Sequence, residues 1–460
     1  MPTASFNFNY YPSSVLDPHT AFLLYAAAAL AILSALVMLL FSLFPGTPRA
    51  LRIWGGSLLG TGLITLGITW FYARNNPELT SPVFAPRTML ASLWENYKKD
   101  FVAPSNGRTI DNQRGGITTS EGESYTLLRA VWMDDQATFD ASWQWTKANL
   151  QRNDHLFSWL YGTQKNGTMG VLTDQNGENT ATDADSDIAL ALVFAYARWQ
   201  EPSYLQAAVP IIRAIWQKET FTAQGKRYLG PSDATVAAKS QRQLLDPSYF
   251  SPYAYRIFGT LIKDEDWNAL IDTSYQILDN SIALGLDKKS SAGLPPDWVV
   301  IDTATGGLGA SENPGQSTNF GYDAIRVPWR IALDWQWSGD PRARTVLSKM
   351  GFLDSVWNRD AALNAVYAHD GTPVSPLYQS PAAYGGAIGY FMVSAPDAAR
   401  EVYVRKLQSL YDPDTQTWRL PLNYYDANIA WFGMALYNDA LPDLFSLLSS
   451  SSTTPASSNH

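Results

Sequence analysis

Three short segments place carboxylates where a helix is about to begin, which is a position suited to acid and base catalysis. The first segment is TSEGESY, residues 119–125. Ser120 and Glu123 fit the S-x-x-E capping box, which predicts a structural role for Glu123 and leaves Glu121 without one. A glutamate where a loop leads into a helix can act as a proton donor, with a pKa that partial burial raises. The motif alone is equally consistent with two solvated glutamates that complement the helix dipole.

The second segment is ATDADSDIA, residues 181–189, and an apolar helical stretch follows it. Alternating aspartates can indicate a calcium loop. A loop that began at Asp183 would place Ile188 where the invariant glycine belongs and Phe194 where the bidentate glutamate belongs, so this pattern does not fit. Two interpretations stay open. The aspartates cap the helix and complement its dipole, or one of them binds the hydroxyl groups of a substrate.

The third segment is NFGYDAIRVPWR, residues 319–330. Pro328 suits the first turn of a helix, so Asp323 lies on the approach to that helix. Arg326 could fix the rotamer of Asp323 and keep its carboxylate ionised, although a simple ion pair is the alternative. Two carboxyl groups on opposite sides of a glycosidic bond, separated by ~6.5–9.5 Å, are what inverting hydrolysis needs.

The composition favours carboxylate chemistry on a carbohydrate. The chain of 460 residues is 46% hydrophobic and 16% charged, which predicts a folded protein with a sizeable core. It has no cysteine and only four histidines, so thiolate chemistry, a metal site and a Ser-His-Asp relay are disfavoured, and we expect no cofactor. A net charge of −9 argues against a nucleic-acid partner. The 17 Trp and 24 Tyr exceed what a helical core needs and indicate sugar stacking, although core packing is the alternative for any one ring.

The N-terminal region has the pattern of a membrane hairpin. Residues 18–48 contain no charged side chain, and residues 53–73 form a second uncharged run with Gly56 and Gly60 at small-xxx-small spacing. A cleaved signal peptide is disfavoured because no basic segment precedes the first run and a second span follows it. Arg49 and Arg52 lie between the runs and predict a cytoplasmic connection. We therefore expect a two-span protein of the cytoplasmic membrane whose main domain is extracytoplasmic.

The domain organisation that follows is an extracytoplasmic N-terminus over residues 1–20, two transmembrane helices over 21–75, a Pro-rich linker over 76–87, a helical domain over 88–446 and a disordered Ser/Thr-rich tail over 447–460. Helical periodicity recurs between loops rich in Gly, Pro, Asn and Asp, as in residues 132–150, 187–199, 204–220, 267–284 and 328–337. The predicted fold class is all-α, with paired helices and no clear strands. Periodicity alone does not distinguish a closed toroid from a solenoid.

These segments resemble glycoside hydrolase family 8, the bacterial endoglucanases, lichenases, xylanases and chitosanases. The stretch ATDADSDIALALVFAYARW, residues 181–199, is similar to the family signature throughout. TSEGESY and YDAIRVPWR resemble the segments that carry the acid and the base of the family. Further similarity occurs in DPSYFSPYAY, GLPPDW and NYYDANIAWFG. The resemblance covers residues 86–444, and the predicted membrane hairpin lies outside it.

The resemblance implies an (α/α)6 toroid and an inverting mechanism. By motif, Glu121 is the general acid and Asp323 occupies the base position of the cellulase and xylanase branch, which favours a neutral β-1,4-linked glycan. Asp183 is the residue expected to bind and distort the sugar at the cleavage point, with Asp185 as second choice, and Tyr249 would orient the attacking water. Further candidates for substrate binding are Arg326, Tyr425, Trp132, Trp159, Tyr228 and Trp298.

The sequence therefore predicts an endo-acting hydrolase of a β-1,4-linked polysaccharide at the outer face of the cytoplasmic membrane. Such a location suits the trimming of a polymer as it leaves a synthase complex, so a synthase is a candidate partner. Two alternatives remain. One is a non-catalytic glycan-binding scaffold of an exopolysaccharide secretion system. The other is a polysaccharide lyase, which the net negative charge disfavours because lyases bind acidic substrates.

Overall fold

A computed structural model describes residues 86–287, 290–375 and 378–451 of the chain. The described residues belong to two compact units. One contains Pro86–Ala399 and the residues from Tyr411 onward, and the other contains Arg400–Leu410. The predicted N-terminal segment, membrane hairpin and nearly all of the linker fall on residues 1–85, outside the described residues. Among the helices that are described, none is both long and apolar enough to span a bilayer.

The described residues are mostly helical. Their α-helices are α1 (Pro86–Phe101), α2 (Ser120–Trp132), α3 (Gln136–Asn149), α4 (Thr182–Trp199), α5 (Pro202–Lys218), α6 (Asp233–Ala237), α7 (Pro252–Leu261), α8 (Trp267–Ala283), α9 (Arg326–Ser338), α10 (Pro341–Ser348), α11 (Gly351–Asp360), α12 (Pro381–Ser394), α13 (Pro396–Val402), α14 (Tyr424–Tyr437) and α15 (Leu444–Ser451).

The expectation that the domain has no clear strands is wrong. The described loops contain β1 (Thr118–Thr119), β2 (Leu160–Thr163), β3 (Met169–Val171), β4 (Thr220–Ala223), β5 (Lys226–Leu229), β6 (Arg242–Leu245), β7 (Val299–Asp302), β8 (Leu308–Gly309), β9 (Tyr411–Asp412) and β10 (Thr417–Trp418). They pair antiparallel in the orders β1-β2-β3, β4-β5, β6-β7-β8 and β9-β10. Strands of two to four residues are too short to produce a visible alternation in the sequence.

Six helices of the described residues form an inner ring. Within this ring α2 packs on α4, α4 on α7, α7 on α9, α9 on α12 and α12 on α14. The ring closes where α14 meets α2, because the rings of Tyr125 and Phe432 lie 5.2 Å apart and Arg129 Nη1 donates to Asn428 Oδ1 at 3.1 Å. This closed arrangement agrees with the predicted (α/α)6 toroid and not with an open solenoid.

The middle of α4 is buried on every side, which explains its unbroken apolar sequence. In α4, every residue from Ile188 to Ala195 is fully buried. In α12, glycines permit contacts that no other residue could make. A Cβ at Gly386 would lie 1.8 Å from the carbonyl oxygen of Ile325, and one at Gly389 would lie 2.2 Å from that of Pro328. Backbone therefore packs directly against backbone where α12 meets the start of α9.

Most of the helical segments that periodicity indicates are confirmed, with shifted ends. Residues 204–220 and 267–284 correspond closely to α5 and α8. The segment 132–150 does not form one helix, since α2 ends at Trp132 and α3 begins after Asp135, whose carboxylate caps it through the N–H of Thr138. The predicted tail begins at residue 447, whereas α15 continues to Ser451. The rest of that tail lies outside the described residues.

Candidate active site

The three carboxylates from the three sequence motifs meet at one guanidinium. Arg326, the first residue of α9, has only 3% of its side chain exposed. Its Nη1 donates to Glu121 Oε2 and to Asp183 Oδ2, both at 2.8 Å, and its Nη2 donates to Asp323 Oδ1 at 3.0 Å. We call Glu121, Asp183, Asp323 and Arg326 the carboxylate cluster. The structure thus brings together residues that are 205 positions apart in the sequence.

Glu121 lies in the first turn of α2, with 24% of its side chain exposed. The hydroxyl of Tyr424 reaches its Oε1 at 3.5 Å. Burial raises the pKa of Glu121 to about 7, against the opposing effect of Arg326 and with help from Asp183 and Asp323. The carboxyl group therefore holds a proton in mildly acidic solution, as a general acid must.

The predicted capping box is wrong. Thr119 is the N-cap of α2, and its Oγ1 accepts from the N–H of Gly122 at 3.0 Å. Because the helix begins one residue earlier than the motif requires, the carboxylate of Glu123 turns into the interior. It accepts from the backbone N–H of Thr109 at 2.7 Å and from the hydroxyl of Thr146 at 3.1 Å. Burial raises the pKa of Glu123 to about 8.

The two aspartates that open α4 have different surroundings. Asp183 is in the carboxylate cluster and is 1% exposed. Asp185, two residues on, lies on the opposite side of the helix, where its Oδ1 accepts from the N–H of Phe157 at 2.9 Å. Burial and the neighbouring Glu219 raise the pKa of Asp185. The second-choice assignment of Asp185 to substrate binding is therefore wrong, because its carboxyl group faces Glu219 in the interior.

Asp323 is the most exposed carboxylate of the cluster, with 36% of its side chain accessible. Burial of the remainder raises its pKa, and Asp183 adds to this effect. Arg326 and a hydrogen bond from Trp298 act in the opposite direction. An accessible carboxylate with a raised pKa is a stronger base than usual, which suits it to accept a proton from water.

Asp297, which the motif analysis passes over, supports the loop that carries Asp323. Its Oδ1 accepts from the backbone N–H groups of Gly321, Asp323 and Ala324 at 3.1, 3.1 and 2.8 Å. A Cβ at Gly321 would lie 2.5 Å from Asp297 Oδ2, so only glycine fits there without displacement. One buried carboxylate thus sets the backbone position of the candidate base.

Three of the predicted aromatic residues are half-buried around the cluster. The ring of Tyr249 lies 5.3 Å from the guanidinium carbon of Arg326 and 6.3 Å from the ring of Trp298. The hydroxyl of Tyr425 donates to the backbone carbonyl of Tyr322. Tyr322 is 42% exposed and its ring is 5.9 Å from that of Tyr425. These rings offer flat apolar surfaces beside the carboxylates.

Two other predicted stacking residues are in the core. Trp132 is 5% exposed and packs against Phe194, and Tyr228 is 2% exposed. Both predictions are wrong, because these rings complete the helix packing and have no face left for a sugar. Trp159 is half-buried, and its carbonyl accepts from the N–H of Ser120 at the start of α2. Trp159 therefore stays a candidate.

A second buried ion pair lies one turn further along the same two helices. Arg330 binds Asp187 through two parallel hydrogen bonds, Nη1 to Oδ1 at 3.0 Å and Nη2 to Oδ2 at 2.7 Å. Nη1 also donates to Ser251 Oγ at 2.7 Å. The i, i+4 spacing of the aspartates on α4 and of the arginines on α9 could have revealed both pairs in the sequence. Other residues that sequence reasoning missed are Tyr125, Asp246, Ser248, Asp297 and Tyr424.

Comparison with known proteins places this site in a family. The family model described as glycosyl hydrolases family 8 matches residues 68–364. Endoglucanase A from Acetivibrio thermocellus is 29% identical over 399 residues, which cover 84% of this chain and 74% of that protein. Endoglucanase 2 from Ruminiclostridium josui is 33% identical over 265 residues, 56% of this chain, and the match spans about half of that relative, 52%.

Solved structures agree with the sequence comparison. The structure of endo-beta-1,4-glucanase from Acetobacter xylinum superposes with a TM-score of 0.60 at 26% identity, covering 77% of this chain and 99% of that one. The chain belongs to glycoside hydrolase family 8 and is an endoglucanase-like glycoside hydrolase.

Proposed function

We propose that the protein is an inverting endo-hydrolase of a β-1,4-linked glucan, with Glu121 as general acid and Asp323 as general base. The observation that carries the proposal is the carboxylate cluster, in which both residues bind different nitrogens of Arg326. Carboxylates held in this way stand on two sides of the guanidinium and not against each other, which is compatible with the separated pair that inversion requires. The names of the relatives support a β-1,4-glucan as substrate.

The reaction begins with the proton on Glu121. Glu121 donates it to the glycosidic oxygen as the bond from that oxygen to the anomeric carbon breaks. The raised pKa of about 7 keeps this proton in place until the substrate arrives. Asp183 binds the sugar on the non-reducing side of the scissile bond and favours its distorted conformation.

Asp323 accepts a proton from the water that attacks the anomeric carbon from the opposite face. Tyr249, whose ring packs over Arg326, orients this water. The new hydroxyl group has inverted configuration, so a β-linked chain gives an α-configured reducing end. Asp323 ends the reaction protonated and Glu121 ends it ionised, and proton exchange with solvent restores both groups.

Arg326 balances the charge of the site. Its guanidinium faces three carboxyl groups, of which Glu121 carries the proton before the reaction. Burial alone would lower the pKa of Arg326, but the facing tyrosines and carboxylates raise it well above its usual value. A permanent positive charge therefore favours the ionised form of Asp323, whereas burial outweighs the same effect at Glu121 and raises its pKa.

We propose further that the domain works at the outer face of the cytoplasmic membrane, anchored by residues 21–75, where it trims a polymer as a synthase releases it. The two uncharged runs motivate this location. Fractionation of cells tests it, with the protein expected in the membrane fraction and open to added protease from the outside. Recovery of the protein in the culture medium would contradict it.

Hydrolysis by the purified full chain tests the mechanism. We expect reducing ends to be released from carboxymethyl cellulose, lichenan, xylan or chitosan, with a β-1,4-glucan cut fastest and with the α-anomer formed first in proton NMR. Glu121→Gln and Asp323→Asn should each lower kcat by about 10²- to 10⁴-fold. Glu123→Gln is the matched control, because this buried residue lies two positions away and should leave kcat unchanged. Initial formation of the β-anomer, or an active Glu121→Gln variant, would reject the assignment.

A further inference from the structure

Besides the carboxylates, the guanidinium of Arg326 has two buried hydroxyl partners, and its Nη1 donates to the first, that of Tyr125, at 3.3 Å. Its Nη2 donates to Ser248 Oγ at 2.9 Å, beside its bond to Asp323. Ser248 lies in the 3-10 turn Pro247–Tyr249 and is fully buried. A guanidinium can only donate, so Ser248 Oγ accepts this hydrogen bond and its own proton must go to another acceptor.

That acceptor is Asp246. Ser248 Oγ lies 2.7 Å from Asp246 Oδ1, and the backbone N–H of Ser248 donates to the same oxygen at 2.8 Å. Asp246 is 1% exposed, and its Oδ2 is buried without a hydrogen-bond partner among the described residues. The hydrogen bonds therefore run in one direction, from Arg326 to Ser248 to Asp246.

This chain matters because all three carboxylate partners of Arg326 change their state during the proposed reaction. Glu121 loses a proton, Asp323 gains one, and Asp183 turns part of its bonding capacity to the sugar. Ser248 exchanges no proton with the substrate and has no access to it. Its hydrogen bond with Arg326 can therefore stay the same through the whole catalytic cycle.

We infer that Ser248 and Asp246 are positioning residues for the hydrolysis, which hold Arg326 in place between the acid and the base. The inference rests on the proposed function and deepens it. Asp246 orients the hydroxyl of Ser248, and the oriented hydroxyl fixes the guanidinium. The distances from Arg326 to Glu121 and Asp323 then stay constant while the charges of both change.

Several titratable or charged groups surround Arg326 and must be considered together in any pH experiment. They come from each element packed against it: Glu121 and Tyr125 on α2, Asp183 and Asp187 on α4, Asp246 and Tyr249 near the 3-10 turn, Asp323 and Arg330 on and before α9, and Tyr425 on α14.

The test compares two serines that each accept from a buried arginine of α9. Ser248→Ala removes the contact of Arg326, and Ser251→Ala removes the equivalent contact of Arg330. We expect Ser248→Ala in the full chain to lower kcat about tenfold, with little change in KM, since a hydrogen bond to a charged group is lost. Arg326 lowers the pKa of Glu121 and Asp323. A less firmly held Arg326 should therefore move both limbs of the kcat/KM profile to higher pH, by about half a unit.

Ser251→Ala should keep the pH profile of the parent, even if its melting temperature falls. Asp246 supplies the second comparison. Asp246→Ala should reproduce the kinetic defect of Ser248→Ala, and Asp246→Asn should rescue it, because the amide oxygen can still accept from Ser248. Far-UV circular dichroism melting of each variant establishes that it is folded at the assay temperature.

Three outcomes would overturn the inference: an unchanged profile for Ser248→Ala, equal shifts for Ser248→Ala and Ser251→Ala, or no rescue by Asp246→Asn. If the parent cuts none of the polymers, the proposed function fails. The effect of Ser248 on Arg326 and Glu121 can then still be tested without an activity assay. The carboxyl signal of Glu121 in protein labelled with ¹³C-glutamate, assigned by its loss in Glu121→Gln, then reports whether Ser248→Ala shifts its titration upward. No shift in that titration would also reject the positioning role.

Discussion

Two arginines of α9, one turn apart, face two aspartates of α4, also one turn apart, with different results. Arg330 binds a single carboxylate, Asp187, through two parallel hydrogen bonds, and both side chains are 2% exposed. Arg326 binds Asp183 through one nitrogen, and it also binds the carboxyl groups of Glu121 and Asp323. Among the described residues, Asp187 is the only carboxylate that binds Arg330. Arg326, at the start of α9, binds three carboxylates instead.

Under the proposed function, the difference separates an ion pair that stabilises the fold from one that takes part in catalysis. A bidentate pair satisfies both partners, so neither can change protonation or accept a ligand without a large cost. A guanidinium shared among three carboxylates leaves each of them with unused acceptor capacity. Such carboxylates can exchange a bond to the arginine for a bond to a sugar or a water molecule.

The largest expected effect breaks the deeper pair. Asp187→Ala leaves Arg330 buried without its carboxylate and should lower the free energy of unfolding by about 3–5 kcal/mol. Urea denaturation measures this change, and kcat at low temperature should remain close to that of the parent. Asp183→Ala is the matched variant at the mouth. It should cost less stability, because Arg326 keeps two carboxylates, but it should abolish most activity. Equal losses of stability in both variants would contradict the comparison.

A smaller effect is expected from the support of Asp323. Gly321→Ala places a methyl group 2.5 Å from Asp297 Oδ2, so the loop that carries the candidate base must shift. We expect a loss of about 1–3 kcal/mol in the free energy of unfolding and a lower kcat with little change in KM. Gly315→Ala, in the exposed part of the same loop, has 3.4 Å of clearance to Asn313 Oδ1 and serves as control. Normal kcat in Gly321→Ala would show that the loop tolerates displacement.

The last effect appears only as a pH dependence and concerns a carboxyl group that binds no arginine. Burial raises the pKa of Glu123 from 4.5 to about 8, so the folded state binds its proton more tightly than the unfolded state does. The stability from this group is fully present below pH 4.5 and is lost as pH rises towards 8, by about 1.4 kcal/mol per pH unit. Unfolding of the parent and of Glu123→Gln between pH 5 and 8 measures the slope. A parent as insensitive to pH as the variant would refute the assignment of a buried, protonated Glu123.

Much of the fold and of the site could be predicted from the sequence. The apolar run of α4 and the segments of α5 and α8 mark helices, and the three motif carboxylates do converge in space. Motif segments reveal such residues because the chemistry restricts both their type and their immediate neighbours. The residue types alone do not reveal which side of a helix faces the carboxylate cluster, and the prediction for Asp185 is wrong for that reason.

The supporting residues could not be predicted, because their roles depend on contacts distant in the sequence. Asp297 acts on a loop 24 to 27 residues away, and Ser248 contacts Arg326 across 78 residues. The aromatic predictions failed for Trp132 and Tyr228 for a related reason. A tryptophan that fills a gap between helices and one that lines a cleft have the same sequence pattern, and only the packing distinguishes them.

The glycines of α12 have a consequence for the size of the ring. Gly386 allows the carbonyl of Ile325, the residue just before Arg326, to rest directly on the α12 backbone. No clearance remains at this contact, so the absence of a side chain at Gly386 sets both the distance between α12 and α9 and the position of Arg326. Substitutions in the loops can therefore change the surroundings of the carboxylate cluster without affecting this contact. A larger residue at position 386 would separate α12 from α9 and would also displace Arg326.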